Sequence, residues 1–332
     1  MNSKYRVVSF VLAIFMMFSM SACNSATPAN NSSNSKFPEK PLEIIVGFAA
    51  GGGNHLAAEN LTPGAQGAFG QPMAVTCKPG AATAIANSYI VASPADGYTL
   101  LNATLSLPIS LYTGAVDYKM EDFVGVAMYS DVAPCLVINS NLPINSLDEL
   151  VEYVKANPGK FTWGHSGVAA VPHLAGSMMF KEMGIIDLVK EVPFTGTNEA
   201  VAQVLGGHID AVISFSVSVS EQVKAGNMRV IGISSPERID DFPDAPTCIE
   251  QGYDVTLTSS RGIFVRSDTP QEIIDKLEAG FKTIVESEEF QERAVALGEP
   301  PVFMNSKDFT KLYHEQCDIV KVLVEELGLA GQ

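Results

Sequence analysis

From Lys40 onward, short apolar strands alternate with stretches of helical amphipathic period, and this restricts the chain to the α/β class. Strand candidates are LEIIVGF (42–48), MAVTC (73–77), TLLNAT (99–104), FVGVAMY (123–129), CLVIN (135–139), FTWGHS (161–166), DAVISFS (210–216), VIGISS (230–235) and GIFVRS (262–267). Helix-forming sequence fills most of the gaps, the pattern of mainly parallel sheets. Ser146-Leu-Asp-Glu149 reads as a capping box, with Ser146 as N-cap and Glu149 reaching back. Asn157-Pro158-Gly159 stops the helix that starts there. Thr269-Pro-Gln-Glu272 reads as a second box with Pro270 at the first helical position. The last helices are expected at 270–286, 288–297 and 306–327. A length of 332 residues holds two domains of ordinary size.

The N-terminus is an address rather than part of the fold. Lys4 and Arg6 precede an apolar run from Val7 to Met20, and Ser21-Ala22-Cys23 closes it with small residues and a cysteine. The run is shorter than the roughly 18–20 residues that a spanning helix needs. Residues 1–22 therefore read as a bacterial lipoprotein signal, with Cys23 as the lipid-modified first residue; an ordinary cleaved signal is the alternative. Residues 23–36 are polar and Ser/Asn-rich, a flexible tether that would hold the domain at a membrane surface through the anchor alone. The expected location is extracytoplasmic, lipid-anchored to the bacterial cell membrane, or periplasmic.

The formal net charge is −16, and losing Lys4 and Arg6 makes it −18. Such an acidic chain lacks the basic surface that nucleic acid requires, so no nucleic-acid partner is expected. Cys77, Cys135, Cys248 and Cys317 are far apart and form no CxxC or Cys/His cluster, so no metal site is indicated. Their apolar neighbours suggest buried free thiols, with one disulfide left open.

The candidate site begins where the strand LEIIV breaks on Gly51, Gly52 and Gly53 and helix-forming sequence follows. A strand that turns on glycines into a helix start aims backbone N–H groups at one point, which suits an anion. That anion is not a nucleotide. Gly47 and Gly52 have phosphate-loop spacing, but Gly53 and Asn54 stand where Lys and Ser/Thr belong, and Leu56 breaks dinucleotide spacing. Gly164-His165-Ser166-Gly167-Val168 looks like a nucleophile elbow, yet Val168 replaces its last glycine and no convincing late His follows. No enzyme and no cofactor are expected.

Several segments in order resemble the receptors of tripartite tricarboxylate transporters, the Bug or TctC-like family. They are FPEKPLEIIVGFAAGGG (37–53), FGQPMAVTCKPGAA (69–82), SPADGYTLL (93–101), LPINSLDELVEYVKANPGKFTWGHSG (142–167), VPFTGTNEAVAQVLGGHIDAVI (192–213) and DAPTCIEQGYDV (244–255). The resemblance covers residues 37 to about 327. It implies a type II periplasmic-binding-protein fold: two α/β lobes, crossing hinge strands and an interlobe ligand cleft that closes by hinge motion. On that pattern the first lobe is 37–136 plus 261–332 and the second is 137–260.

The resemblance further implies a monomeric solute receptor. It would capture a small organic carboxylate (a di- or tricarboxylate, an amino acid or an aromatic acid) and deliver it to integral-membrane transporter subunits. The alternative is a sensory receptor that signals to a membrane kinase. Ligand-binding candidates in the first lobe are Gly51, Gly52, Gly53, Asn54 and His55, with hydroxyls from Thr104 and Ser106. In the second lobe they are Ser166, Gly167, Val168 and His173, then Thr195, Gly196, Thr197 and Asn198 at a helix start. Departures from the family pattern are His55, where an acid is common, Ala81-Ala82-Thr83 in a turn usually richer in glycine, and Arg261. Arg261 is expected either to grip a ligand carboxylate or to form an inter-lobe salt bridge.

Overall fold

The computed structural model describes residues 36–114 and 116–331. The signal segment, Cys23 and all of the tether except Lys36 lie outside the described residues. Two sheets organise the fold. The first contains β1 (Leu42–Val46), β2 (Met73–Cys77), β3 (Thr99–Ala103), β4 (Phe123–Val132), β10 (Ser259–Arg266) and β11 (Pro301–Asn305), in the order β11-β4-β10-β3-β1-β2. The second contains β5 (Pro134–Asn139), β6 (Thr162–His165), β7 (Lys190–Pro193), β8 (Ala211–Phe215) and β9 (Met228–Ile233), in the order β7-β6-β8-β5-β9.

The α/β class and two-lobed arrangement follow the expectation, but the sheets are mixed rather than mainly parallel. β1 runs parallel to β2 and β3, whereas β10 is antiparallel to β3 and β4, and β11 to β4. In the second sheet β6 is parallel to β7 and β8, and β5 is antiparallel to β8 and β9. The crossing strands cause this. Only Ala133 separates β4 from β5, and Pro134 enters the second sheet opposite Phe215, the last residue of β8. β10 likewise meets β3 at its end, with Gly262 opposite Ala103. A strand that enters at its neighbour's carboxyl end must run against it. The carboxyl ends of β1 and β3 in one sheet, and of β6, β7 and β8 in the other, therefore lie toward the crossing at Val132–Pro134. That is where open α/β sheets bind ligands.

The helices are α1 (Gly53–Glu59), α2 (Ala65–Phe69), α3 (Ala84–Ala92), α4 (Ser106–Thr113), α5 (Leu147–Ala156), α6 (Val171–Glu182), α7 (Thr197–Leu205), α8 (Ser216–Lys224), α9 (Gln271–Val285), α10 (Glu288–Ala296) and α11 (Ser306–Glu326). α9 and α11 lie against β4, while α6 and α7 lie against β8. In α9 the residues Ile274, Leu277, Phe281, Ile284 and Val285 repeat at helical spacing and are buried together. Gly280 lets that face close, because a Cβ there would stand 2.0 Å from the Phe69 ring. One apolar cluster runs from Phe264, Phe309 and Tyr313 behind the first sheet to Leu174, Phe180 and Ile213 behind the second.

The capping boxes come out differently from each other. Ser146 Oγ accepts from Glu149 N–H at 3.2 Å, but the Glu149 carboxylate reaches Asn145 N–H at 2.6 Å, one residue before the cap. At α9 the N-cap is Pro270, no side chain caps the helix, and the Thr269 hydroxyl is buried without a partner. The strands β7 and β11, which the pattern of apolar runs does not reveal, are both sheet edges, where half-exposed residues carry a weak hydrophobic signal. The four cysteines are free; Cys135, Cys248 and Cys317 are buried, and desolvation pushes the thiols of Cys248 and Cys317 up to about 12. No helix among the described residues is long and apolar enough to cross a membrane.

Candidate functional site

In the first lobe β1 ends at Val46, and the chain turns through Gly51 (φ +83°) into α1, with Gly52 as its N-cap. The glycine nest is partly closed on itself. Gly51 N–H donates to His55 Nδ1 at 3.3 Å, and Gly52 N–H to the Ala49 carbonyl at 3.4 Å. The N–H groups of Gly53, Asn54 and His55 open the first helical turn, where no intrahelical carbonyl is available to them. His55 Nε2 lies 3.4 Å from Glu59 Oε1 on the same helix, so the histidine is tied to its own turn.

A buried polar chain supports the turn from behind. Asn102 Nδ2 donates to the Asn54 carbonyl at 3.1 Å, and Tyr129 O–H donates to Asn102 Oδ1 at 2.6 Å. Arg261 Nη1 donates to the Gly53 carbonyl at 3.3 Å, and Arg261 Nη2 stands 3.0 Å from Glu299 Oε1. Ser130 Oγ donates to Glu299 Oε2 at 2.9 Å. Burial raises the Glu299 carboxyl above its usual value even though Arg261 lowers it. Of the two roles expected for Arg261, an ion pair is present, and it joins β10 to the turn before β11 within the first sheet rather than linking the two sheets. Two buried side-chain atoms at this turn have no partner, Asn54 Oδ1 and Arg261 Nε.

Thr104 and Ser106 follow β3 and bind each other, with Thr104 Oγ1 donating to Ser106 Oγ at 3.1 Å and accepting from Ser106 N–H at 3.3 Å. Tyr313 O–H anchors the Thr104 carbonyl at 2.5 Å. The glycine-poor turn keeps a glycine-like path. Ala81, Ala82 and Thr83 all have positive φ, and each such residue costs about 1–2 kcal/mol. Contacts hold it there: Thr83 packs on Gly47, where a Cβ would come within 2.7 Å, and Thr83 Oγ1 accepts from Asn87 Nδ2 at 3.2 Å.

In the second lobe β6 ends at His165, and the chain passes through Ser166, Gly167 (φ +130°), the exposed Val168 and Ala169 (φ +60°) into α6. His173 lies on the first turns of α6 and accepts Ala169 N–H on Nδ1 at 3.0 Å. The 194–198 segment is its neighbour: Phe194 N–H donates to the His165 carbonyl at 3.0 Å. Gly196 is the N-cap of α7, followed by Thr197 and Asn198. That helix start carries its own acid, because Thr195 N–H and Oγ1 both donate to Glu199 Oε2, at 3.4 and 2.9 Å.

Beneath the 166–170 loop is a cluster that motif spacing did not reveal. His165 Nε2 lies 2.9 Å from Glu191 Oε1, and His173 Nε2 lies 3.4 Å from the same oxygen. Hydrogen bonds from His165 first, then His173, hold the Glu191 carboxyl down at about 2 against the opposing effect of burial. Trp163 packs on both imidazoles, 5.1 Å from the His165 ring and 6.3 Å from the His173 ring. The signal that would have found Glu191 is strand register. Trp163 pairs with Glu191 in parallel β6 and β7, which puts Glu191 beside the face that Trp163 and His165 share.

The chain matches the family described as the tripartite tricarboxylate transporter family receptor over residues 57–329. It is 32% identical to Protein BugT of Bordetella pertussis over 271 residues, which is 80% of this chain and 82% of that protein. It is similar in structure to a TctC solute-binding protein from Polaromonas, with a TM-score of 0.83 at 24% identity, covering 87% of this chain and 99% of the other. A protein of R. palustris solved with adipate shares the fold at a TM-score of 0.70 and 21% identity, covering 89% of this chain and all of the other. Two lobes on crossing strands, loops gathered at the carboxyl ends of both sheets and a family match over most of the chain lead to one conclusion: the chain belongs to the tripartite tricarboxylate transporter receptor family of extracytoplasmic solute-binding proteins.

Proposed function

We propose that this receptor captures a small organic carboxylate between its lobes and delivers it to the integral-membrane subunits of a tripartite tricarboxylate-type transporter. The observation that carries the reading is the pair of unpartnered buried polar atoms, Asn54 Oδ1 and Arg261 Nε, at the turn that opens α1. Buried polar atoms left without partners are rare and call for an explanation, and a polar ligand supplies one. Adipate and malate in other proteins of this fold are the precedent for the ligand class.

In this reading residues 37–136 and 261–332 form one jaw and 137–260 the other. The jaws bring Gly51–His55, Thr104 and Ser106, with Arg261 behind them, toward Ser166–Val168 and Thr195–Asn198. His173 acts behind its loop. Hydrogen bonds to a charged group contribute about 1.5–3 kcal/mol each, and four or five reach micromolar affinity after the costs of association. Residues 1–22 serve as the export signal, and a lipid on Cys23 holds the monomer outside the membrane. A thermal-shift screen with malate, adipate, citrate, amino acids and aromatic acids tests the binding. A ligand at 100 times its Kd adds about 2.7 kcal/mol of stability. Absence of any shift across these carboxylates, with the protein folded, would overturn the proposal.

A further inference from the structure

We infer that Val217 is a positioning residue for ligand capture, one that passes the angle between the two sheets through Gly298, Glu299 and Arg261 to the turn that opens α1. The two helices that meet here belong to different sheets. α8 is anchored to the second through Val219, which is buried with Val201 and Val212. α10 is anchored to the first through Phe290 and Ala294, buried with Ile263 and Phe281. Val217 stands in the first turn of α8, just beyond the end of β8 at Phe215, and Gly298 lies between α10 and β11. A Cβ on Gly298 would stand 2.6 Å from Val217 Cβ and nearer still to its Cγ2, so the valine touches the bare glycine backbone. Val217 is nonetheless 54% exposed, so this is a surface contact between the two halves and not part of either core.

The glycine is not free to retreat from the valine. It sits at φ +69°, and two crossed bonds close the end of α10: Gly298 N–H to the Val295 carbonyl at 3.0 Å and Glu299 N–H to the Ala294 carbonyl at 2.9 Å. A push on Gly298 is therefore carried to Glu299, the next residue. The Glu299 carboxyl is held by Arg261 Nη2 at 3.0 Å and by Ser130 Oγ at 2.9 Å. A buried ion pair that opens leaves an uncompensated charge, so Arg261 follows Glu299 rather than letting it go. Arg261 Nη1 in turn donates to the Gly53 carbonyl at 3.3 Å. That oxygen belongs to the peptide whose N–H is that of Asn54, one of the N–H groups offered at the start of α1. A change of angle between the sheets thus has an unbroken path of contacts to the turn.

This role rests on the proposed capture of a carboxylate between the lobes, but its first readout needs no ligand. A hydrogen bond to a carbonyl polarises that peptide, so the Asn54 amide signal in proton–nitrogen spectra of the full chain reports the bond from Arg261 to Gly53. Val217→Ala, which trims an exposed side chain, should move the Asn54 signal. Gly298→Ala, which adds a methyl at the contact, should move it the opposite way, and the double variant should return it toward the parent. In Glu299→Gln the signal should no longer respond to Val217→Ala. If Gly298→Ala or Glu299→Gln fails to fold, Val217→Ala alone carries the test. Malate and adipate, titrated into the same proteins, read capture: Gly298→Ala should weaken whichever binds by about fivefold or more, and adding Val217→Ala should restore it. An Asn54 signal that stays in place while residues beside 217 and 298 move would overturn the inference. So would a response that survives Glu299→Gln, or a ligand affinity that Gly298→Ala leaves unchanged. If no carboxylate of the thermal-shift screen binds the parent, the capture reading fails, and the Asn54 signal still decides whether Val217 positions the turn.

Discussion

The two candidate loops, at the starts of α1 and α6, use one device in two settings. In each, a histidine accepts on Nδ1 the backbone N–H four residues earlier, Gly51 to His55 at 3.3 Å and Ala169 to His173 at 3.0 Å. In each, Nε2 stands 3.4 Å from a glutamate, Glu59 or Glu191. The settings differ. The His55 side chain is 19% exposed and its partner 44%, whereas His173 is 4% exposed and shares Glu191 with the fully buried His165. At the first turn the buried ion pair lies one layer back, in Arg261 and Glu299; in the second loop the two histidines that share Glu191 touch the loop itself. The carboxyls respond in opposite directions. Burial raises Glu299 despite Arg261, and the two imidazoles hold half-exposed Glu191 at about 2. The first turn is therefore a loop backed by a buried ion pair, and the second is a loop packed directly on a buried histidine–glutamate cluster.

The largest effect should come from breaking that ion pair. Arg261→Ala leaves Glu299 without its cation in a buried site and should cost about 3–5 kcal/mol, read from the urea midpoint. Replacing the pair together, Arg261→Met with Glu299→Leu, should recover most of that loss. A single variant within 1 kcal/mol of the parent would mean that the pair behaves like a surface bridge and does not back the first turn. Next in size is a contrast of backbones. Gly167→Ala should cost about 1–3 kcal/mol, because φ +130° is poorly open to L residues. Gly51→Ala should cost less, about 1 kcal/mol, since φ +83° lies nearer the ordinary left-handed well and a Cβ there meets nothing within 4 Å. Equal losses would remove the claim that the second loop is the more constrained.

The same contrast explains how much was legible in the sequence. The strands MAVTC and CLVIN and the helix after Ser146 are local facts of apolar period and capping, and they stand within a residue of where the pattern puts them, while LEIIVGF ends two residues early, at Val46. Sheet direction was not local. It depends on Ala133 being the whole link between β4 and β5, so that one strand path serves both sheets. The glycine turn was visible because three consecutive glycines interrupt an apolar strand run, and His55 and His173 because the chain has only 5 histidines and these two follow strands. Glu299 was not, because its partner Arg261 lies far away in sequence and meets it only after β10 and β11 flank β4. Glu191 was hidden for a different reason: it sits on the polar edge strand KEVP, which looks like a loop until β7 pairs with β6.

Acid separates the two glutamates further. The Glu191 carboxyl sits at about 2 in the fold against an ordinary 4.5, so the stability it adds is fully present above about pH 4.5 and is lost as pH falls toward 2. Glu191→Gln should therefore be less stable than the parent at pH 7, and the gap should narrow between pH 4.5 and 2 in paired denaturant titrations. Glu299 has the opposite sign: its raised carboxyl makes ionisation a cost, so its contribution falls as pH rises above the ordinary value. A gap for Glu191→Gln that stays constant with pH would show that the histidines do not hold the charge.

The smallest effect tests whether the shared device matters where it is exposed. His55→Ala removes a 3.3 Å bond to Gly51 N–H and a solvent-facing pair with Glu59. Water can satisfy the exposed Gly51 N–H, so the loss should be about 0.5–1 kcal/mol. His173→Ala leaves the half-buried Ala169 N–H without its partner inside the second lobe and should cost about 1–3 kcal/mol. If His55→Ala matches His173→Ala in size, burial is not what separates the two loops. The first turn would then be as tightly clamped as the second.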